Sequence, residues 1–386
     1  MTASKGRFLA FLNFISIAGI AIGVAALIIV IGIMTGFGNN IREKIIGTTP
    51  HILIEKEVGV KDFDQVREQL MTVEGVKGAS AYVQGNVFLE NTSQAIGILV
   101  RGVDPALEHQ VTKVNQYMVE GNFSDLKDDG VVIGKELARY FGYKLGDTIT
   151  LISPGSGLAG EGWRYNLTIK GVFSSGMIDY DTQLVLVNIK KAQTIFNLND
   201  NTSTGVGVRL SDPYKAQEVK ESIYRVLGYG FLVKTWIDIN HNLFEALFLE
   251  KWGLFIVLTL MVIIASFSIV SALIVMVTTK THDIGILKSI GATNKSIRKI
   301  FVKQGLWIGT LGTFWGLVIG VGLGYILKTY VKVPQEIYSI EHVPIEIHAF
   351  DVCTIVLAAF IISYVATIYP SIKAANLQPV EALRYE

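Results

Sequence analysis

One cysteine, Cys353, is all that 386 residues provide, so no disulfide can form within the chain and every domain must stand on its own core. The machinery of common enzymes is also missing. The nearest approach to a phosphate-binding loop is GVVIGKE at 130–136, which has three residues rather than four between its glycines. It also places Glu136 where a magnesium-binding Ser or Thr belongs. The six histidines are scattered at 51, 109, 241, 282, 342 and 348. Glu341, His342, Glu346 and His348 lie close in sequence but lack the spacing that puts two ligands on one helical face, so no metal site is expected. No nucleophile elbow occurs, and Cys353 falls in an apolar run where a thiol is inert. Nothing here points to an enzyme or to nucleic acid.

The most informative absence is charge. Residues 8–41, 252–279, 304–327 and 352–372 contain no charged side chain, although 17% of the whole chain is charged. Roughly 20 apolar residues suffice to cross a hydrocarbon core about 30 Å thick. One run precedes a long charged insert and three follow it. The fold class this predicts is an integral membrane α-helical protein with four transmembrane helices, arranged one plus three, around a large α+β extracytoplasmic domain. The first run is much longer than the roughly 7–15 apolar residues of a cleaved signal, and it reads as an uncleaved anchor.

Charge in the short loops sets the orientation. Between the second and third runs stand Lys280, Lys288, Lys295, Arg298, Lys299 and Lys303, against Asp283 alone. Between the third and fourth, Lys328 and Lys332 face Glu336, Glu341, Glu346 and Asp351. The positive-inside rule places 280–303 in the cytoplasm, with both termini, and the insert outside.

Three domains are expected: 1–41, the N-terminal tail and first span; 42–250, the external domain; and 251–386, three spans with the loop 280–303 and the C-terminus. Within the external domain, His51–Lys56, Ala81–Glu90, Ala95–Val103, Val206–Leu210 and Phe231–Trp236 read as strands. Helices are expected at Asp62–Val73 and from Pro213 to Leu227. These make a split β-α-β module, 42–104 with 205–250. Strands at Val131–Gly134, Thr148–Ile152, Asn166–Phe173 and Leu184–Asn188 and a helix at Lys135–Phe141 make an inserted β-rich subdomain, 105–204.

Two local patterns carry function. Gly305, Gly309, Gly312, Gly316, Gly320 and Gly324 recur at steps of three and four, one helical stripe suited to close helix packing in lipid. In KTHDIGILKSIGATNKSIRKIF, residues 280–301, Asp283–Ile290 predicts a short helix ended by Gly291, with Thr293 capping the next. That helix would present Ile284, Leu287 and Lys288 to a soluble partner.

DIGILKSIGAT in this loop, the one-plus-three layout and the ending YPSIKAANLQPVEALRYE resemble the FtsX/MacB-like permease superfamily of ABC transporters. GVAALIIVIGIMTGF and GKELARYFGYKLGDTITLISP are similar to its lipoprotein-releasing branch, the LolC/LolE type. The resemblance covers nearly the whole chain. It implies a permease of the bacterial inner (cytoplasmic) membrane that extracts lipoproteins and releases them to a periplasmic carrier. It further implies a separate ATPase subunit, dimeric, with ATP and magnesium on that subunit and no cofactor in this chain. A second permease, identical or related, lipoprotein substrate and membrane lipid are the other implied partners, with the carrier among the candidates. Asp283, Ile284, Gly285, Leu287 and Lys288 would form the ATPase-coupling helix. Ile33, Met34 and Phe37 on the first span and Phe255, Leu258 and Val262 on the second would line the substrate cavity. Family members usually carry an amphipathic helix before the first span, so a shortened N-terminus is expected here. The carrier-binding hairpin of the family would fall at Ser153–Tyr165, which is glycine-rich. The competing reading is a permease that relays ATP hydrolysis to a periplasmic hydrolase or sensor without transport.

Overall fold

The computed structural model describes residues 2–91, 94–153, 162–332 and 342–377. Most of the hairpin expected at Ser153–Tyr165, together with Glu341 and the ending from residue 378, lies outside the described residues. The chain divides into two compact units, one holding Met1–Asn39, Glu245–Val333 and His342–Glu386, the other built on Asn40–Phe244.

The first unit contains the long helices. Among the described residues four are long and apolar enough to cross a membrane: Ala10–Thr48, within a helix that starts at Thr2, then His241–Thr279, Asn294–Tyr330 and Ala349–Ala375. The uncharged runs lie inside these helices but do not mark their ends. The first continues past Ile41 through Arg42, Glu43 and Lys44, and the second begins ahead of Glu245, Glu250 and Lys251. Lipid excludes charge, whereas a helix does not, and Arg, Glu and Lys are good helix formers.

The third helix is the hub of the unit. All six of its stripe glycines are buried. A Cβ at Gly305 would strike Thr367, and one at Gly309 would lie 2.6 Å from the Ser363 Cβ, both on the fourth helix. Further along, a Cβ at Gly312 would lie 2.8 Å from the Ile20 Cβ, one at Gly316 2.7 Å from the Val24 Cβ, and one at Gly320 3.0 Å from the Ala25 Cα, all on the first helix. At Gly324 the neighbour is Ile347, 3.1 Å away. Ile347 belongs to an extended segment, 342–348, where Ile345 is buried and the Glu346 N–H donates to the Gly32 carbonyl at 3.0 Å. Asn39 completes that contact by donating to the Glu346 carboxylate at 2.6 Å.

The second unit is a ten-stranded sheet. β1 is Ile52–Lys61, β2 Val76–Asn91, β3 Gln94–Val103, β4 Met118–Gly121 and β5 Gly130–Gly134. β6 is Thr148–Ser153, β7 Trp163–Phe173, β8 Leu184–Asn188, β9 Thr202–Leu210 and β10 Leu232–Thr235. Antiparallel β10-β1-β9-β2 forms an open half, with helices Phe63–Met71 and Ala216–Leu227 packed on it through Leu70 and Ile223. The other half closes on itself. β2 pairs with β3, β3 with β8, β8 with β5, β5 with β7, β7 with β6, and β6 again with β2. This ring of pairings is a small barrel, which leaves no edge among its members. Its interior holds Val83, Leu89, Ile98, Val131, Ile133, Leu151, Leu167 and Val185. β2 is common to both halves: its first part pairs with β9 and its second with β6. The segment read from sequence as an insert therefore shares a strand with the module around it.

Phe231–Trp236, expected as one strand, stops at Thr235. Thr235 and Asp238 form a capping box there, which starts a short helix at Trp236. His51 locks the beginning of this half. Its Nδ1 accepts from the Leu210 N–H at 3.0 Å, and its carbonyl accepts from the Trp236 N–H at 2.9 Å.

Two outcomes follow from these contacts. Gly316→Ala should lower the thermal stability of the detergent-purified protein by about 1–3 kcal/mol, because the Val24 Cβ and the Ala21 backbone cannot both yield. Gly322→Ala, where a Cβ meets nothing within 4 Å, should be neutral or stabilising by up to ~1 kcal/mol. Equal effects would mean that the close approach at Gly316 is not real. Burial first, and then the nearby Arg209 charge, push His51 down to about 4 from 6.5. The unfolded chain thus takes up the proton first on acidification, so stability is full above pH 6.5 and falls towards pH 4. The contribution is of the order of 3 kcal/mol. Melting curves between pH 7.5 and 4.5 should show a smaller acid loss for His51→Gln than for the parent protein.

Candidate functional site

The loop between the second and third long helices is a helix, Thr281–Ser289, with tight joints at both ends. At its start, Lys280 breaks the helix with φ −103° and ψ 12°. Its ammonium then pairs at 2.7 Å with Asp283, one turn on. That hydrogen bond, followed by the Lys280 charge, holds the Asp283 carboxyl below its ordinary value. At its end Gly291 takes φ +101°, which a side chain would resist. The Ala292 N–H reaches back to the Leu287 carbonyl at 2.9 Å and the Gly291 N–H to the Lys288 carbonyl at 3.0 Å. Those two bonds are the Schellman closure that ends a helix on glycine. Thr293 then accepts from the Ser296 N–H at 3.3 Å and starts the third long helix.

Of the residues expected to face a partner, the structure divides the set. Leu287 is 45% exposed, beside exposed Ile286 and Ile290, and Asp283 is exposed too. Ile284, only 3% exposed, and Gly285 instead face inward. Ile284 joins the same buried cluster as Val277, Ile297, Phe301 and Ala374. Lys288 is half-buried and donates to the carbonyls of Ala375 at 2.6 Å and Leu377 at 2.7 Å. Ile284, Gly285 and Lys288 are thus packed against neighbouring helix ends of this chain. An isolated helix shows only its own pattern, and the neighbouring helix ends decide which face is covered. The apolar surface actually offered is Ile286, Leu287 and Ile290.

The expected cavity residues divide in the same way. The first and second long helices meet at two levels: Ser16 donates to the Ser268 carbonyl at 3.1 Å, and a Cβ at Gly23 would sit 3.3 Å from Val262. Val262 is therefore buried in this seam. Phe255 and Leu258 are half-buried against the same helix cluster. Ile33, Met34 and Phe37 are half-buried on the first helix. The open face of the second helix carries Ile256, Val257, Leu260, Met261, Ile264 and Phe267, none of which the sequence singled out. A helix that is apolar all round has no amphipathic signal to mark that face.

Comparison with known proteins matches two families. Residues 13–226 match the family described as MacB-like periplasmic core domain, and residues 255–379 match FtsX-like permease C-terminal. The fold and the loop thus define a membrane permease of the FtsX-like class bearing a MacB-like periplasmic domain. Over 99% of its length the chain is 33% identical to the lipoprotein-releasing system transmembrane protein LolC of Neisseria meningitidis serogroup B, covering 96% of that protein. It is 30% identical to LolC of Xylella fastidiosa strain 9a5c, again over 99% of this chain and 96% of the other. With LolE of Haemophilus influenzae it shares 28% identity over 98% of this chain and 95% of that one. The chain belongs to the family of lipoprotein-releasing permeases of the LolC/LolE type.

The two faces of the loop helix should respond differently to a carboxylate. Ile284→Asp buries an unpaired charge and should cost about 3 kcal/mol or more in thermal stability. Leu287→Asp lies at the surface and should change stability by no more than about 0.5 kcal/mol. The reverse order would show that the helix is rotated from the orientation described.

Proposed function

We propose that this chain is the permease subunit of an ABC transporter that extracts lipoproteins from the bacterial inner membrane and releases them to a periplasmic carrier. The observation that carries this reading is near-complete coverage of lipoprotein-releasing relatives at 28–33% identity, together with a braced loop helix that offers Ile286, Leu287 and Ile290. One span precedes the periplasmic domain and three follow it, with the basic loop 280–303 in the cytoplasm. The domain limits are 1–41, 42–250 and 251–386, the middle one combining the split module 42–104 and 205–250 with the segment 105–204.

ATP and magnesium bind a separate, dimeric ATPase subunit, which docks on the exposed apolar face of the loop helix. Asp283 stays at the rim of that surface, while Ile284, Gly285 and Lys288 hold the helix in place. A second permease, identical or related, completes the membrane part. The periplasmic domain receives the released lipoprotein and its carrier. Acyl chains lie along the outer-leaflet halves of the first two spans, on Ile33, Met34 and Phe37 and on the open face that includes Leu260 and Met261. Large, flexible apolar side chains of this kind adapt to varied acyl groups. Gly305, Gly309, Gly312, Gly316, Gly320 and Gly324 pack the bundle that transmits the motion.

Photo-crosslinking residues placed at Met34 and Leu260 in the full complex should capture lipoprotein, and addition of ATP should diminish the capture. A matching probe at Ile319, on the exposed side of the third helix, should give little. Capture from Ile319 alone would contradict this path for the acyl chains, and no capture from any site would contradict lipoprotein as the substrate.

A further inference from the structure

The fourth long helix ends close to the loop. Asn376 closes the final backbone turn by donating to the Ile372 carbonyl at 3.0 Å. The last four carbonyls of a helix have no partner within it and carry its negative partial charge. Lys288 meets part of that need from another element: its ammonium donates to the Ala375 carbonyl at 2.6 Å and, just past the helix, to the Leu377 carbonyl at 2.7 Å. Both contacts are short, as charge-assisted hydrogen bonds are. They are also sheltered, since Ala374 and Ala375 are buried and Lys288 is itself half-buried.

The tie is reinforced by packing. Ile284 stands four residues before Lys288, on the same helical face. It joins the cluster that includes Ala374 and, at its margin, Leu377. One face of the loop helix is thus fastened to the end of the fourth span by an apolar contact and a charged cap. The loop is covalently continuous with the second span through Lys280 and with the third through the Gly291–Thr293 turn.

We propose that Lys288 is a positioning residue that ties the loop helix to the fourth span, so that a displacement of the loop moves the second, third and fourth spans as one body. The coupling part of this role rests on the permease reading above. The ammonium never touches the partner or the lipoprotein. It fixes the angle at which Ile286, Leu287 and Ile290 are offered, and it spreads the load to a span that the loop does not join covalently.

Lys288→Met keeps the apolar stem and removes every donor, whereas Lys288→Arg keeps charge and several donors. Hydrogen exchange measured on the detergent-purified permease, which needs no partner, should rise about tenfold across 281–289 in Lys288→Met and stay near the parent value in Lys288→Arg. In the full complex with its ATPase, Lys288→Met should still assemble and hydrolyse ATP. Lipoprotein released per ATP should fall by roughly tenfold, with Lys288→Arg restoring most of it. Unchanged exchange in Lys288→Met would overturn the tie. Faster exchange with an unaltered release ratio, or equal impairment of both variants, would overturn the positioning role. A parent complex that hydrolyses ATP without releasing lipoprotein would contradict the permease reading and the coupling role together, leaving the tie to be judged by exchange alone.

Discussion

Close approach of backbones along the glycine face of the third long helix is the constraint on which the membrane unit depends. Burial from water, the usual drive for helix packing, is absent between helices in lipid, so the gain must come from contact itself. Five glycines let one helix serve two neighbours: Gly305 and Gly309 receive Thr367 and Ser363 of the fourth helix, and Gly312, Gly316 and Gly320 receive Ile20, Val24 and Ala25 of the first. The second helix is held from the other side, where Val262 fills the notch left by Gly23. A bundle fastened at backbone level has few ways to deform other than as a body.

That rigidity gives the loop helix its meaning. Schellman closure at Gly291, the Thr293 cap and the inward Ile284 leave Thr281–Ser289 little freedom to rock. The apolar part of what remains outward is small. Burying Ile286, Leu287 and Ile290 against a partner would contribute several kcal/mol at most. That is enough for a reversible dock and suits a contact that passes force in each cycle. Chemistry belongs to the partner in this account, and geometry to this chain.

Much of this was legible in the residues. The four long apolar helices announced themselves by lack of charge, because lipid penalises charge whatever the tertiary structure. The strand Leu184–Asn188 and the helix Lys135–Phe141 were marked by local pattern and matched to the residue, and the strand expected at Val131–Gly134 starts one residue earlier, at Gly130. Three things were hidden. Closure of the barrel depends on Phe88–Glu90 pairing with Thr150–Ile152, a contact between distant segments that no local pattern encodes. The inward turn of Ile284 and Lys288 depends on where the fourth helix happens to end. The open face of the second helix, with Leu260 and Ile264, cannot be read from a segment that is apolar on every side. Sequence gave the inventory of parts, and contacts between parts decided which residues were free to act.

The central claim is that partner-driven ATP turnover, received at the loop helix, expels lipoprotein from the membrane through this chain. The most direct measurement is reconstitution of the full complex, with its ATPase, in vesicles loaded with a purified triacylated lipoprotein, followed by assay of soluble lipoprotein in the presence of excess carrier. The account predicts release that requires ATP, stops when hydrolysis is blocked, and is lost with Leu287→Asp although ATPase and permease are both present. Steady ATP hydrolysis by the intact complex with all lipoprotein retained in the vesicles would contradict it.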